Sequence, residues 1–172
     1  VAGLFTAVAP EQITARLYST FDPQNETVRD RIAMMRTGVR LVRDYPLMGV
    51  GPDMVEAVYV DYRDPAAVQE SNPHLHNVPI QIAAERGIPA LLVWVALVVA
   101  VTRGLVHQLR TGAYRSLPAG GLAAVGGMLA AGMFEYNFGD SEFLMLWLVL
   151  VTLPFAAEAE PITSDQPTTE PA

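Results

Sequence analysis

Three stretches of the chain carry no charge at all: Gly87 to Thr102, Leu117 to Phe134 and Phe143 to Ala157. As helices, these 16, 18 and 15 residues reach roughly 22 to 27 Å against a hydrocarbon core of about 30 Å. Arg86 and Arg103 bracket the first run and can snorkel to opposite interfaces, while Tyr136 and Trp147 suit interfacial or upper-helix positions. The pattern predicts three membrane-spanning helices, with buried helices of a soluble core as the alternative reading. A fourth apolar run, Val1 to Ala9, has no signal-peptide charge pattern and reads as the end of an earlier spanning helix. The expected fold class is therefore an all-α integral membrane protein, the C-terminal fragment of a polytopic helical bundle with a long outer-side loop containing short helices.

The arginine bias of the short links sets the expected orientation. Residues 103 to 116 carry Arg103, Arg110 and Arg115 and no acid, whereas residues 135 to 142 carry Glu135, Asp140 and Glu142 and no base. The first link is expected on the cytoplasmic side, and the second, with the polar segment 10 to 86, on the periplasmic or extracellular side. Ala123, Gly127 and Ala131 form a small-residue ridge at four-residue spacing, suited to close helix packing. The predicted organisation is a helix end at 1–9, an outer loop at 10–86, spanning helices at 87–102, 117–134 and 143–157, and a disordered, Pro- and Glu-rich tail at 158–172.

Within the outer segment a helix is predicted over about 28–44, with Thr27 as N-cap and a stop before Pro46. At 100° per residue Arg29, Arg36, Arg40 and Arg43 fall within about 60°, a solvated or headgroup-facing stripe. Arg31 lies about 160° away, beside Met34, Met35, Gly38 and Val42 on the inward side. A guanidinium there needs a partner, because an unpaired buried charge costs several kcal/mol. Asp53, Glu85 or an anionic ligand would serve, and the planar fork of arginine suits a diphosphate. Pro46, Gly49, Gly51 and Pro52 mark a turn and not a dinucleotide loop, since no strand precedes them and no third glycine follows at the required spacing. Tyr59 and Tyr62 follow, then a polar loop at 63–73, then the histidines, then VPIQIAAERG, which reads as a short interfacial helix.

Composition agrees with a membrane setting: 51% hydrophobic residues, a mean hydropathy of +0.27 and no cysteine, hence no disulfide framework. The net charge of -7, with all 11 positive charges on arginine, argues against nucleic acid as a partner. His74 and His76 share a face if extended, but a zinc site usually needs three or four protein ligands and His107 lies beyond the first spanning run. Either histidine could act as a general base, imidazole titrating near neutral pH, or serve a structural role.

The order RIAMMRTGVRLVRDYPLMGVGPDM, then HLHN, then IQIAAERGIPALL, resembles the O-antigen ligase and polymerase family of membrane glycosyltransferases. In that family an arginine opens a helix that usually carries a tryptophan four residues on and ends in a Pro-Leu-x-Gly-x-Gly turn; here these are Arg31, Met35 and Pro46 to Gly51. The family's histidine, followed by Asn, Ser or Gln and, after nine more residues, by Gly, matches His76, Asn77 and Gly87. Met35 in place of tryptophan and Ala90 in place of a frequent glycine are departures. The resemblance, over about residues 27 to 157, implies transfer of a glycan from undecaprenyl diphosphate to an acceptor hydroxyl in surface-polysaccharide biosynthesis, at the periplasmic side of the bacterial inner membrane. The acceptor would be lipid A-core, another glycan or a protein, with membrane lipids around and no cofactor or metal. It makes His76 and Arg31 the catalytic candidates, with Asn77, His74 and Arg36 as substrate-binding residues. Ligases, repeat-unit polymerases and protein O-oligosaccharyltransferases all belong to this class, and a non-catalytic membrane or transport module is the contrasting reading. The family's N-terminal helices supply most of its bundle and a further arginine, so the segment alone is expected to be inactive.

Overall fold

The computed structural model describes residues 25–112 and 115–159. Residues 158 and 159, expected in the tail, are helical, while the helix end expected at 1–9 and residues 160–172 of that tail lie outside the described residues. These fold into five helices: α1 (Glu26–Asp44), α2 (Val55–Tyr62), α3 (Val78–Thr111), α4 (Ser116–Gly132) and α5 (Ser141–Ala159), with a single 3-10 turn at Asn137–Gly139 before α5. No strand occurs among the described residues.

Helix α1 starts at Glu26 because Asn25, not Thr27, caps it: the Asn25 side-chain oxygen accepts the Thr27 N–H at 2.9 Å. Its four-arginine face is exposed as the periodicity predicts, while Ala33, Met34, Thr37, Gly38 and Leu41 are buried. Gly38 lets the helix approach closely, since a Cβ there would collide with Ile80 and Leu75 side chains. Helix α2 was absent from the periodicity, its eight residues being too short and too weakly amphipathic to stand out. Val55 and Tyr59 bury it against Met34, Leu41, Leu75 and Ala84. The loop after α2 is tied to α1 by polar groups. Asp30 accepts the Val68 and Gln69 N–H groups at 2.8 and 3.2 Å, Thr37 Oγ1 accepts that of Asp64 at 3.1 Å, and Arg40 pairs with Asp64 at 2.8 Å.

Helix α3 is two helices joined at Gly87, whose φ of 80° and ψ of 171° break the spiral. The short helix expected at 78–86 is its first part. The apolar run expected over 87–102 continues to Thr111, so Arg103 and Arg110 lie on the helix and not in a link. Charged residues at a helix end satisfy themselves in water or by snorkelling and do not terminate it. The turn after α1 docks into the break. Val50 and Gly51 N–H groups donate to the Ala84 and Glu85 carbonyls at 2.8 and 2.9 Å, and the Ile88 N–H donates to Pro46 O at 2.7 Å. The turn thus satisfies carbonyls ending one helix and a donor opening the next, groups that a helix cannot pair internally. Pro89, in the first turn after the break, has no N–H to satisfy.

The remaining helices form a second core of Val78, Ile82, Trp94, Val98, Leu105, Val125, Met128, Trp147 and Val151. Trp147, in the second turn of α5, is 3% exposed there. The ridge of Ala123, Gly127 and Ala131 is exposed and faces away from this core; α4 packs among the described helices through Gly121, Val125, Met128 and Gly132 instead. Two helices, Val78–Thr111 and Ser141–Glu158, are long and apolar enough to cross a membrane, and Ser116–Gly132 is a shorter apolar helix. Only 11% and 17% of the two apolar windows are buried. A soluble core helix would be mostly buried, whereas here Leu92, Val93, Val99, Met145, Leu146 and Val149 are exposed.

The docking of the turn makes Gly87 irreplaceable. Gly87→Ala would place a Cβ against the Leu47 carbonyl and force a side chain into positive φ, at a cost of about 1–3 kcal/mol for the backbone strain alone. Gly127→Ala, where nothing lies within 4 Å, should be neutral or stabilising by up to ~1 kcal/mol. Thermal melts followed by circular dichroism in detergent should show a clear drop in Tm for the first variant and none for the second.

Candidate functional site

The segment before α3 is held rigidly. Asn77 caps the helix by accepting the Ile80 N–H at 3.1 Å, and its Nδ2 donates to Met133 O at 3.3 Å. Gly132 packs on Val78 with no room for a side chain larger than hydrogen without movement. These contacts bring the end of α4 against the start of α3. The Phe134 and Glu135 N–H groups fold back onto Ala131 O, both at 2.9 Å, and Glu135 emerges beside the histidine motif.

Two buried polar side chains complete the support. Gln81 accepts the Leu75 N–H at 2.7 Å and donates to Glu85 at 2.8 Å. Glu85 is fully buried and also receives the Asp53 N–H at 3.2 Å and Arg86 at 2.8 Å. Its carboxylate is therefore fully engaged, and neither Glu85 nor Asp53 is the partner of Arg31 anticipated from the sequence. The reason is spatial: α1 presents Arg31 toward the end of α4, near the opposite end of α1 from the Gly49–Gly51 dock.

Arg31 instead meets Glu135, Nη2 to Oε1 at 3.6 Å, and the other oxygen of the same carboxylate lies 2.8 Å from His76 Nδ1. The three side chains are partly exposed, Arg31 at 33%, His76 at 30% and Glu135 at 55%. An ionised carboxylate can only accept, so Nδ1 donates to it, and in the neutral imidazole Nε2 then presents its lone pair. At 3.6 Å the Arg31 contact is a charge pairing without a tight hydrogen bond, which leaves guanidinium donors available. His76 itself sits at φ 49°, a left-handed conformation that costs a non-glycine residue about 1–2 kcal/mol. The surrounding caps hold it there. Arg31, Met34, Asn72 and His76 line a cleft of about 280 Å³.

His74 turns the other way. Its ring lies 5.2 Å from that of Tyr136, on a larger cleft of about 830 Å³ that also includes Asp53, Arg86, Trp94 and Asp140. The two histidines thus have different neighbours and do not act as a pair. Burial raises the pKa of the Tyr136 phenol, opposed in part by the adjacent Arg86 guanidinium. Desolvation pulls the Arg86 pKa down, but Tyr136, Glu85 and Asp53 outweigh it and hold the group charged. Asn77 is buried, with both ends of its amide engaged in the fold. Arg36 is exposed on the arginine face of α1, apart from the Arg31–Glu135–His76 group. Glu135 was not singled out from the sequence as a site residue. Its signal there was only an acidic link between two apolar runs.

In 15N-labelled protein the His76 imidazole should appear as the Nδ1-protonated tautomer, and Glu135→Ala should remove that preference. Identical imidazole spectra with and without Glu135 would mean that the pair does not form in solution.

Comparison with known families adds one finding: a family model described as O-antigen ligase matches residues 1–95, more than half of the 172-residue chain. That family consists of glycosyltransferase-like membrane enzymes of surface-polysaccharide biosynthesis. No curated protein and no solved structure matches the chain.

Proposed function

The chain belongs to the O-antigen ligase family, and on that premise we propose that the Arg31–Glu135–His76 group transfers a glycan from an undecaprenyl-diphosphate carrier to an acceptor hydroxyl. The observation that carries this reading is the single carboxylate shared by the arginine and the histidine. It holds a potential base and a potential anion holder side by side.

In the proposed reaction His76 Nε2 takes the proton from the acceptor hydroxyl as its oxygen attacks the anomeric carbon of the donor sugar. The bond from that carbon to the diphosphate oxygen breaks, and the polyprenyl diphosphate leaves with an added negative charge. Arg31, with donors left over by its loose pairing to Glu135, offsets that charge, a contribution worth most in a site partly screened from water. Glu135 holds the imidazole in the tautomer that can accept the proton and stabilises the imidazolium that forms. The diphosphate can draw Arg31 off the carboxylate, since the pairing is long and half-exposed. Asn77 acts as a positioning residue, through its cap and its hold on Met133.

The membrane placement follows the same reading. The Arg103, Arg110 and Arg115 end of the bundle lies at the cytoplasmic face of the bacterial inner membrane by the charge rule. The end that carries Glu135 then lies on the periplasmic side, at the depth where a lipid-linked diphosphate sugar presents its reactive bond. Supporting this, α3 breaks at Gly87 just after the charged pair Glu85–Arg86, where its uncharged apolar run begins.

Complementation of a strain that depends on this protein for surface-glycan transfer tests the reading. His76→Ala should lower transfer by about 10²–10⁴-fold, and Arg31→Ala by about 10²–10³-fold. Arg29→Ala, on the exposed face of α1, should change it by less than about twofold. Arg40 is unsuited as that control because it holds Asp64. Equal transfer by all three variants would leave a non-catalytic membrane module as the reading.

A further inference from the structure

The cleft on the far side of the histidine segment is too elaborate to be a packing defect. Its volume of about 830 Å³ falls in the range of small-molecule sites. Its polar end is built from Arg86, Asp53, Asp140, Tyr136 and His74, and its other end from Ala90, Val93, Leu97 and Leu144 on either side of Trp94. Val93 and Leu97 are themselves exposed, so the apolar end opens along the side of α3. Trp94 is 9% exposed, and its indole N–H is buried without an acceptor.

The charges of the polar end decide what kind of head it accepts. Arg86 is paired with the buried carboxylate of Glu85, so its charge is offset within the protein. Asp53 and Asp140 add two carboxylates, of which Asp140 is partly engaged by the Glu142 and Phe143 N–H groups at 2.9 and 3.1 Å. A phosphate would meet a rim with more acid than base. A hydroxyl-rich, uncharged head meets a better match: carboxylates accept from hydroxyls, the free guanidinium donors and the Tyr136 hydroxyl donate to them, and the tilted His74–Tyr136 ring pair offers faces for C–H groups.

We propose that this cleft seats a glycolipid by its uncharged sugar, held by Asp53, Arg86 and Tyr136, with the apolar stem along Val93 and Leu97. The inference rests on the proposed glycan transfer and extends it. The anionic donor belongs to the Arg31 side, where a guanidinium is loosely paired, and the sugar acceptor to the Arg86 side. His74, Leu75 and His76 run between them, so the sugar held here anchors the acceptor, and the reacting hydroxyl that meets His76 lies on a sugar further along it. Asp53, Arg86 and Tyr136 then select the acceptor and do not touch the diphosphate.

Binding can be read without turnover. The protein, in phosphatidylcholine nanodiscs, is titrated with an alkyl glucoside brominated on its chain, and quenching of tryptophan fluorescence is followed. Saturable quenching is expected, most of it lost in Trp94→Phe. Asp53→Asn and Tyr136→Phe, which preserve backbone and ring, should each raise the apparent Kd about three- to tenfold, with helix content unchanged by circular dichroism. An alkyl phosphate with the same brominated chain should bind at least about tenfold more weakly. Equal or tighter binding of the phosphate would make this an anionic-lipid site and overturn the proposal. So would quenching that rises linearly with probe, or affinities unchanged in both variants. His76→Ala should bind the glucoside normally, so loss of transfer chemistry and loss of this site are separately visible.

Discussion

Three backbone hydrogen bonds between the turn Pro46–Gly51 and the break at Gly87 govern where everything else in the molecule can sit. At that point α1 ends, the first part of α3 ends and its apolar part begins, so three sets of unpaired helix-terminal groups meet. Left in a dry interior, each would cost roughly the desolvation of a peptide group, about 1–3 kcal/mol. The turn pairs them with one another. Gly49 and Gly87 allow this because the two backbones come closer than any side chain permits: a Cβ on either would fall within the carbonyl of the opposing strand of chain.

That junction positions the polar network above it. With Ala84 and Glu85 carbonyls committed to the turn, the Glu85 side chain is driven inward, where Gln81, the Asp53 N–H and Arg86 surround it. A fully buried carboxylate is tolerated only with such a complement. Gln81 then passes the constraint on to Leu75 by a hydrogen bond, and Asn77 passes it to Met133. The histidine segment is therefore braced from both sides, which is what sustains the left-handed backbone at His76.

The same bracing sorts charge. Arg31 and Arg86 lie on opposite sides of the histidine segment, and each has a carboxylate, but the pairings differ in kind. The buried Glu85 grips the partly exposed Arg86 at 2.8 Å, while Glu135 stands 3.6 Å from Arg31 and is half in solvent. The loose pair leaves a cation that an anion can claim. The tight pair leaves a rim fit for hydroxyl groups. The proposed placing of two chemically different substrates rests on this asymmetry, with His76, paired to Glu135, between them.

Much of this was legible along the chain. The uncharged runs, the four-arginine face of α1 and the short helix ahead of Gly87 follow from composition and period, since burial of an apolar stripe or length is a local property. The motif spacing singled out Arg31 and His76. Other features were beyond reach of a linear reading. Helix α2 carries too few turns to show a period, and α4 packs through Gly121, Val125, Met128 and Gly132, which leaves its small-residue ridge facing outward. The partner of Arg31 could not be found among nearby acids. Glu135 is more than one hundred positions away from Arg31 and reaches it only because Gly132 and Asn77 bring two helix ends together. Sequence by itself determined which segments are apolar and marked Arg31 and His76 as the candidates for chemistry. Tertiary structure alone decided which carboxylate each cation meets, because ion pairs form through space between chain ends that only packing brings within 4 Å.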